Sequence, residues 1–199
     1  VGRHIENHPS GAADLAGSLY KVGAFGFFAW AIPLLPDGAA AWTPVLITLA
    51  AATALYAGVI ATRQENLKSL LAYASLSHMG IIGVGVFSMH VTGSNGAMYF
   101  FAAQMITTGG LFLIAGMLHA RTGTFDLAQY GGMAKSAPAL AAVSLFVLFA
   151  SIGVPGLANF PGEFLSLLGA FQVNAGAAVF ATLAVIAAGV YGVNLFQRI

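Results

Sequence analysis

The chain has 199 residues, of which 59% are hydrophobic and only 7% are charged, and its mean hydropathy is +0.87. Soluble domains carry about 25% charged residues, so this composition excludes a water-soluble globular protein and indicates a membrane protein. The net charge of +1 gives no basic surface for nucleic acid, and a sequence without cysteine excludes disulfides and cysteine-ligated metal clusters.

Apolar runs long enough to cross a bilayer predict an all-α, polytopic transmembrane helix bundle of about six spans. The connecting segments 36–42 and 91–95 are rich in turn residues and are predicted to be short loops. The chain opens on a polar segment and ends just past an apolar run, which suggests a piece cut out of something longer. The predicted spans are residues 12–34, 43–62, 69–90, 96–120, 137–173 and 175–195.

The fifth apolar run is too long for one plain helix, since about 20 residues suffice to cross a bilayer. Its centre contains the string GVPG, which begins at Gly153, and the pair PG, which begins at Pro161. Proline removes a backbone donor, and glycine favours breaks where backbones pass closely. We therefore predict two half-helices, residues 138–152 and 160–168, around an unwound centre at 153–162. Such a centre is tolerated at membrane depth only inside protein or beside a water-filled cavity.

Basic residues predict the orientation of the bundle. With six spans, six of the seven Lys and Arg residues fall on one side of the membrane, and the opposite loops have none. By the positive-inside rule this side, which includes the loops 1–11 and 121–136, is predicted to be cytoplasmic. The six residues are Arg3, Arg63, Lys68, Arg121, Lys135 and Arg198.

The seventh basic residue, Lys21, lies near the middle of the first span. A charge at membrane depth costs about 2.5–3.5 kcal/mol, so Lys21 is expected to have a partner or a task. Snorkelling of its side chain to the interface is the alternative. Asp14 lies about two helical turns earlier on the same face, where a capping or surface role and a relay role are both open.

Further polar groups recur at one or more per span. Ionisable groups inside spans normally face the bundle interior and mark ion or proton paths, and histidine titrates near neutrality. Lys21, His78 and Glu163 therefore form a candidate proton relay. The polar groups are His78 in the third span, Gln104, Thr107 and Thr108 in the fourth, and Asn159 and Glu163 in the broken helix.

Each of these groups has a structural alternative. His78 could be a hydrogen-bonded packing residue, and Gln104 with its two threonines could be ordinary interhelical hydrogen bonding. Glu163 could cap the second half-helix, which is compatible with a relay role. Lys68 flanks a helix start at the surface, where anchoring of the topology is favoured over transport. The remaining histidines show no metal-ligand spacing, and no metal site is predicted.

Three strings carry a resemblance to a known family: GSLYKVGAFGFF at 17–28, LKSLLAYASLSHMG at 67–80 and GVPGLANFPGEF at 153–164. They resemble segments of the antiporter-like, proton-pumping subunits of respiratory complex I (NADH-quinone oxidoreductase), specifically the subunit M or chain 4 type. The opening His4-Ile5-Glu6 is also similar to that family, although Asn7 and His8 depart from its pattern. The resemblance runs from end to end and corresponds to about the eighth to thirteenth spans of the family.

The resemblance implies roles for particular residues. Lys21 would be the central lysine where two half-channels meet, His78 would lie on the polar axis, and Glu163 would lie at the periplasmic exit. Lys68 would lie at the cytoplasmic start of the third span. Gln104 departs from the family, which usually has histidine there. A water-bridged relay through Gln104, Thr107 and Thr108, with Asn159 as possible support, could substitute for it.

The function implied is that of a proton-translocating, non-redox subunit of NADH-quinone oxidoreductase. This chain is expected to hold no cofactor, with flavin, iron–sulfur clusters and quinone in partner subunits. The expected partners are other complex I membrane subunits, including related antiporter-like subunits, and lipids of a bacterial cytoplasmic membrane. One alternative is a subunit of a multi-subunit cation/proton antiporter or a membrane-bound hydrogenase. A second is a structural membrane subunit with a non-functional channel, which Gln104 favours.

Overall fold

The computed structural model describes residues 21–198, which fold as a bundle of helices. Four of the helices are long and apolar enough to cross a membrane, namely Pro36–Ala61, Leu67–Phe87, Val91–Thr122 and Ala175–Arg198. The all-α transmembrane prediction is therefore confirmed. The helices are α1 (Val22–Leu34), α2 (Pro36–Ala61), α3 (Leu67–Phe87), α4 (Val91–Thr122), α5 (Met133–Ser136), α6 (Pro138–Ser151), α7 (Asn159–Val173) and α8 (Ala175–Arg198).

The predicted broken helix is confirmed, but the break is narrower than the sequence indicated. α6 ends at Ser151 and α7 begins at Asn159, so the break covers only residues 152–158. Pro161 and Gly162 lie inside α7. Pro161 is the third residue of α7, where an N–H group would have no intrahelical partner in any case, so proline causes no interruption there.

The two predicted loops at 36–42 and 91–95 are helical, which corrects the sequence interpretation. Pro36 is the first residue of α2 and Asp37 lies in its first turn, two features that favour a helix start. His90 caps α4, because its Nδ1 accepts a hydrogen bond from the main-chain N–H of Thr92 at 3.3 Å. Residues that are typical of turns therefore begin both helices.

Glycines in the first half of α4 serve close helix packing. A Cβ atom added to Gly96 would lie 2.6 Å from Cβ of Leu165 on α7, and one added to Gly162 would lie 2.6 Å from the main-chain nitrogen of Phe100 on α4. Small residues let helix backbones approach in this way inside membranes. The turn-like string TGSNG at 92–96 therefore reflects contact between α4 and α7.

One end of the bundle, called here the loop end, is formed by residues 62–66 and 123–137. The two segments pair through main-chain hydrogen bonds, from Leu67 N–H to the Phe125 carbonyl at 2.8 Å and from Leu127 N–H to the Glu65 carbonyl at 2.9 Å. Basic residues lie within or next to both segments, at positions 63, 68, 121 and 135. The clustering of basic residues at one end of the bundle is thus a feature of the structure.

The outer surface of the bundle is apolar and its interior contains the polar side chains. On α4, Ile106 is 77% exposed whereas Gln104, two residues earlier, is fully buried. Trp30, Trp42 and Phe146 are also largely exposed. This distribution is the reverse of that in a soluble protein and matches a chain whose outer surface meets lipid or other membrane helices.

Candidate functional site

Lys21 lies directly before α1 and is fully buried. Its Nζ donates one hydrogen bond to the main-chain oxygen of Gln104 at 2.9 Å and one to Oγ1 of Thr108 at 2.7 Å. Both acceptors lie on α4, one helical turn apart. Lys21 therefore points into the bundle towards α4 and does not reach for the membrane surface.

Gln104 is the centre of the hydrogen-bond network on α4. Its Oε1 accepts a hydrogen bond from the Thr108 hydroxyl at 2.6 Å, and the Thr107 hydroxyl lies 3.5 Å from the same oxygen. On its other side, Nε2 of Gln104 donates to the main-chain oxygen of Ser151 at 3.4 Å. The spacing of three and four residues places these side chains on one face of α4. A continuous hydrogen-bonded path therefore runs from Lys21 to the last residue of α6.

The helix break supplies the acceptor at the end of this path. In a continuous helix the Ser151 carbonyl would accept from the N–H four residues later, but that residue is Pro155, which has none. The freed carbonyl accepts instead from two side-chain amides, Gln104 Nε2 at 3.4 Å and Asn159 Nδ2 at 3.0 Å. Sequence reasoning missed Ser151, although the proline four residues later was a signal for a free carbonyl.

Asn159, the first residue of α7, connects that helix to the same network. Its Nδ2 also donates to Oγ1 of Thr107 at 3.2 Å. Its Oδ1 is buried and has no hydrogen-bond partner among residues 21–198. The network thus joins α4, α6 and α7 to Lys21 at the start of α1.

Glu163 lies one helical turn after Asn159 and is 4% exposed. Its carboxylate rests against Gly153, which has φ +74°, and a Cβ atom at position 153 would collide with Oε2. Its Oε1 has no hydrogen-bond partner in the described part of the chain. Glu163 is the fifth residue of α7, past the first turn, so its position does not favour the capping alternative. The carboxylate is instead held beside the helix break.

His78 lies outside the hydrogen-bonded path and pairs with Tyr191 of α8. The Tyr191 hydroxyl lies 3.3 Å from Nε2 of His78, and the imidazole ring meets the Phe100 ring edge-on at 5.8 Å between centroids. Sequence reasoning missed Tyr191, because one tyrosine in an apolar helix is typical of ordinary packing.

Lys68 and Asp14 are the two remaining candidates. Lys68 lies at the loop end, where its Nζ is 5.2 Å from the centroid of the Phe125 ring. That ring stacks on His119 at 4.1 Å between centroids. Asp14 lies outside the described residues. Within residues 21–198, no group of three His, Asp or Glu side chains is arranged to hold a metal ion.

A lysine buried inside a helical bundle, a broken helix and a buried glutamate together define a multi-pass membrane protein with an internal polar network. The family model for "NADH:quinone oxidoreductase/Mrp antiporter, TM" matches residues 4–188. The chain belongs to this transmembrane family, and the resemblance found in the three sequence strings is confirmed.

Curated relatives include subunits of NADH-quinone oxidoreductases. NADH-quinone oxidoreductase subunit 13 of Thermus thermophilus is 51% identical over 195 residues, which is 98% of this chain and 42% of the relative. NADH-quinone oxidoreductase subunit M of Rhodobacter capsulatus is 37% identical over 196 residues, 98% of this chain and 38% of the relative. The chain therefore spans about two-fifths of the length of these relatives.

Solved structures show the same fold. A chain of respiratory complex I from Thermus thermophilus with bound NADH superposes with a TM-score of 0.92 at 51% identity, covering 96% of this chain and 41% of that chain. The Mrp complex from Dietzia sp. DQ12-45-1b matches with a TM-score of 0.83 at 23% identity, covering 92% of this chain and 34% of that one. The second similarity shows a common fold alone.

Proposed function

We propose that this chain is part of a proton-translocating membrane subunit of an NADH-quinone oxidoreductase and performs no redox chemistry itself. The observation that supports this most directly is the buried path that begins at Lys21, crosses α4 through Thr108 and Gln104, and ends at the helix break beside Glu163. Ionisable side chains inside a membrane normally serve ion movement. A purely structural bundle would have no use for a lysine buried at this cost.

In the proposed path, Lys21 receives a proton and releases it towards the break. The Thr108 hydroxyl accepts a hydrogen bond from Lys21 and donates one to Gln104, so it is oriented to pass a proton in that direction. The Gln104 amide does not titrate, so it orients its neighbours and a bridging water carries the proton past it. Asn159 and Glu163 each have a buried oxygen with no partner among residues 21–198, and water bridges such a gap well.

For His78, which the resemblance implies on the polar axis, we propose a place beside the path. Its hydrogen bond goes to Tyr191, so we assign the His78–Tyr191 pair to a branch beside the path. In that position the pair responds to the charges of Lys21 and Glu163. Protonation of His78 would then disfavour the charged form of Lys21, because like charges repel, and would favour the charged form of Glu163.

The assembly around this chain follows from the names of its relatives and remains part of the proposal. Flavin, iron–sulfur clusters and quinone would be held by partner subunits, and proton movement would be driven by conformational or electrostatic coupling from them. Related antiporter-like subunits would be neighbours in the membrane. The loop end carries the basic residues, so we assign it to the cytoplasmic side of a bacterial inner membrane.

The test is Lys21→Ala in the assembled complex, with Lys135→Ala as the matched control because Lys135 is exposed at the loop end. We expect Lys21→Ala to lower proton pumping and coupled quinone reduction about tenfold or more, a change of about 1.4 kcal/mol in the barrier. The control should behave as the unaltered complex, and both variants should assemble. Unchanged pumping by Lys21→Ala in an intact complex would refute the central role of Lys21.

A second candidate function is that of a subunit of a multi-subunit cation/proton antiporter or a membrane-bound hydrogenase. The family description supports it, because that description names Mrp antiporters beside NADH-quinone oxidoreductases. Co-purification separates the two: flavin and iron–sulfur subunits would accompany an oxidoreductase subunit, whereas an antiporter subunit would bring antiporter partners only.

A structural subunit with a non-functional channel is the third candidate. The observation in its favour is Gln104, which puts a group that cannot titrate at the centre of the network. The discriminating variant is Glu163→Gln, which keeps the shape of the side chain and removes its charge. Normal pumping by this variant would favour the structural candidate, and loss of pumping would favour translocation.

A further inference from the structure

An apolar cavity of about 290 Å³ lies between α3, α4, α6 and α8, close to the loop end. Its walls are apolar apart from the Ser144 hydroxyl, and that hydroxyl donates to the Leu140 carbonyl at 2.7 Å. No polar group is therefore aimed into the cavity from that residue. Representative lining residues are Leu71, Leu118, Met133, Ala141, Leu148 and Leu195.

A smaller, polar cavity of about 150 Å³ adjoins the apolar one at the loop end. Leu118 and Met133 line both cavities, so the two are neighbours, and we treat them together as one groove from the helix interior to the loop. Arg121 lines the polar part, together with the side chains of Gln129 and Ser136. Within residues 21–198, no aspartate or glutamate lines either cavity, although Asp126 accepts a hydrogen bond from Nε2 of the lining residue Gln129 at 3.2 Å. The groove is therefore apolar at its inner end and has the Arg121 guanidinium at its outer end.

We propose that this groove, called here the Arg121 groove, binds one anionic phospholipid. Its acyl chain would occupy the apolar cavity, and its phosphate would accept hydrogen bonds from the Arg121 guanidinium. Protein interiors are close-packed, and an unfilled apolar void loses dispersion contacts on every wall. Arginine binds phosphate through two parallel N–H groups, and basic pockets between transmembrane helices favour acidic headgroups.

The chemistry of the groove favours a lipid over a protein segment. An extended segment entering the apolar cavity would bury main-chain N–H and C=O groups without hydrogen-bond partners, whereas an acyl chain has no polar group to satisfy. Phe196 lines the apolar cavity and is 51% exposed, so the cavity is bounded by a residue of the outer surface of α8. Arg121 is likewise exposed at the polar end. This site does not depend on the proposed proton path.

The experiment uses the full-length subunit in its purified, delipidated complex. Native mass spectrometry would measure binding of phosphatidylglycerol and, for comparison, phosphatidylcholine. The variants are Arg121→Gln, which removes the charge, and Ala141→Phe, which fills the apolar cavity. Arg63→Gln is the matched control, because Arg63 is an exposed arginine of the same end that lines neither cavity.

We expect Arg121→Gln to weaken phosphatidylglycerol binding at least fivefold and to leave phosphatidylcholine binding unchanged. Ala141→Phe should reduce the number of retained phosphatidylglycerol molecules by one per complex, and Arg63→Gln should change nothing. Unchanged binding in Arg121→Gln, or an equal loss in Arg63→Gln, would overturn the proposal. If Ala141→Phe prevents assembly, Arg121→Gln alone tests whether the groove binds an anionic phospholipid. Arg121 is exposed, so its replacement leaves the core intact.

Discussion

The two halves of α4 make contacts of opposite kinds. In the first half, Gly96 lies against α7 so closely that a single added carbon would collide with Leu165. In the second half, a Cβ atom added to Gly109 would meet no atom of residues 21–198 within 4 Å, and the apolar cavity of about 290 Å³ opens between α4 and α6. The first half of α4 is therefore called here the tight half, and the second half, in which Gly110 still packs against Val147 of α6, is called the loose half.

The polar network lies at the boundary between these halves. Gln104 is the residue of α4 that meets both α6 and, through the shared Ser151 carbonyl, the start of α7. Tight packing on one side fixes the distances on which hydrogen bonds depend. Looser packing on the other side leaves room for a lipid chain. The comparison shows that α4 packs closely against α7 next to the polar path, whose hydrogen bonds need fixed distances, and packs less closely towards the loop end.

The largest effect is expected from adding a carbon atom at Gly96, where α4 packs closely against α7. Gly96→Ala should destabilise the protein by about 1–3 kcal/mol, because overpacking forces backbones apart. Gly109→Ala is the control in the loose half of the same helix and should be neutral or stabilising by up to about 1 kcal/mol, since alanine favours helix. Thermal unfolding of the purified full-length subunit measures both. Equal Tm values for the two variants would contradict the division of α4.

At the helix break, Gly153 and Gly156 offer a second matched pair. Both have left-handed backbones, with φ +74° and φ +93°, so alanine costs about 1–2 kcal/mol of strain at either position. Only at Gly153 would the new carbon also displace the Glu163 carboxylate. We expect Gly153→Ala to reduce proton pumping about tenfold beyond Gly156→Ala, at equal amounts of assembled complex. An equal loss in both variants would mean that strain, and not the carboxylate, matters.

At the boundary itself, Gln104→Leu would leave the Thr108 hydroxyl without its acceptor. A buried polar group without a partner costs about 1–3 kcal/mol, so pumping should fall by about tenfold. Gln104→His keeps a side chain that can hydrogen-bond and adds a group that titrates, so it should retain pumping. Proton uptake by reconstituted vesicles compares the two variants. Full activity in the leucine variant would remove Gln104 from the proposed path.

The smallest effect is expected at the loop end, from Lys68→Gln. This change removes a cation–π contact with Phe125, which is worth about 0.5–1 kcal/mol at an exposed site. Pumping should stay within about twofold of the unaltered complex, because Lys68 lies at the loop end whereas the proposed path begins at Lys21. The same measurement on Lys21→Ala provides the contrast. A loss in Lys68→Gln as large as that in Lys21→Ala would assign Lys68 to transport and extend the path to the loop end.

Composition, run length and the positions of glycine and proline predicted the bundle and the broken helix. Each of these depends on spacing along one segment, which the sequence contains. The string TGSNG at 92–96 was wrongly predicted to be part of a loop. Glycine is common in turns and also where two helices pack closely, and Gly93 and Gly96 belong to the second kind. Only the position of α7 distinguishes the two cases.

For the same reason, the sequence could not predict which helices pack against each other. Spacing shows which side chains share a face, but it does not show that Lys21 faces α4 or that His78 faces α8. The Ser151 acceptor was missed because it is a main-chain atom, and an inventory of side chains does not contain it. A search for carbonyls four residues before a proline would have found it.

The Ser151 carbonyl also makes the network tolerant of sequence drift. A main-chain acceptor survives any substitution at its own position, so position 151 is free to vary among residues of small volume. The acceptor is lost only if a residue with an N–H group replaces Pro155 and the helix closes across the break. Pro155 therefore keeps this hydrogen-bond acceptor available, although its own side chain is not part of the network.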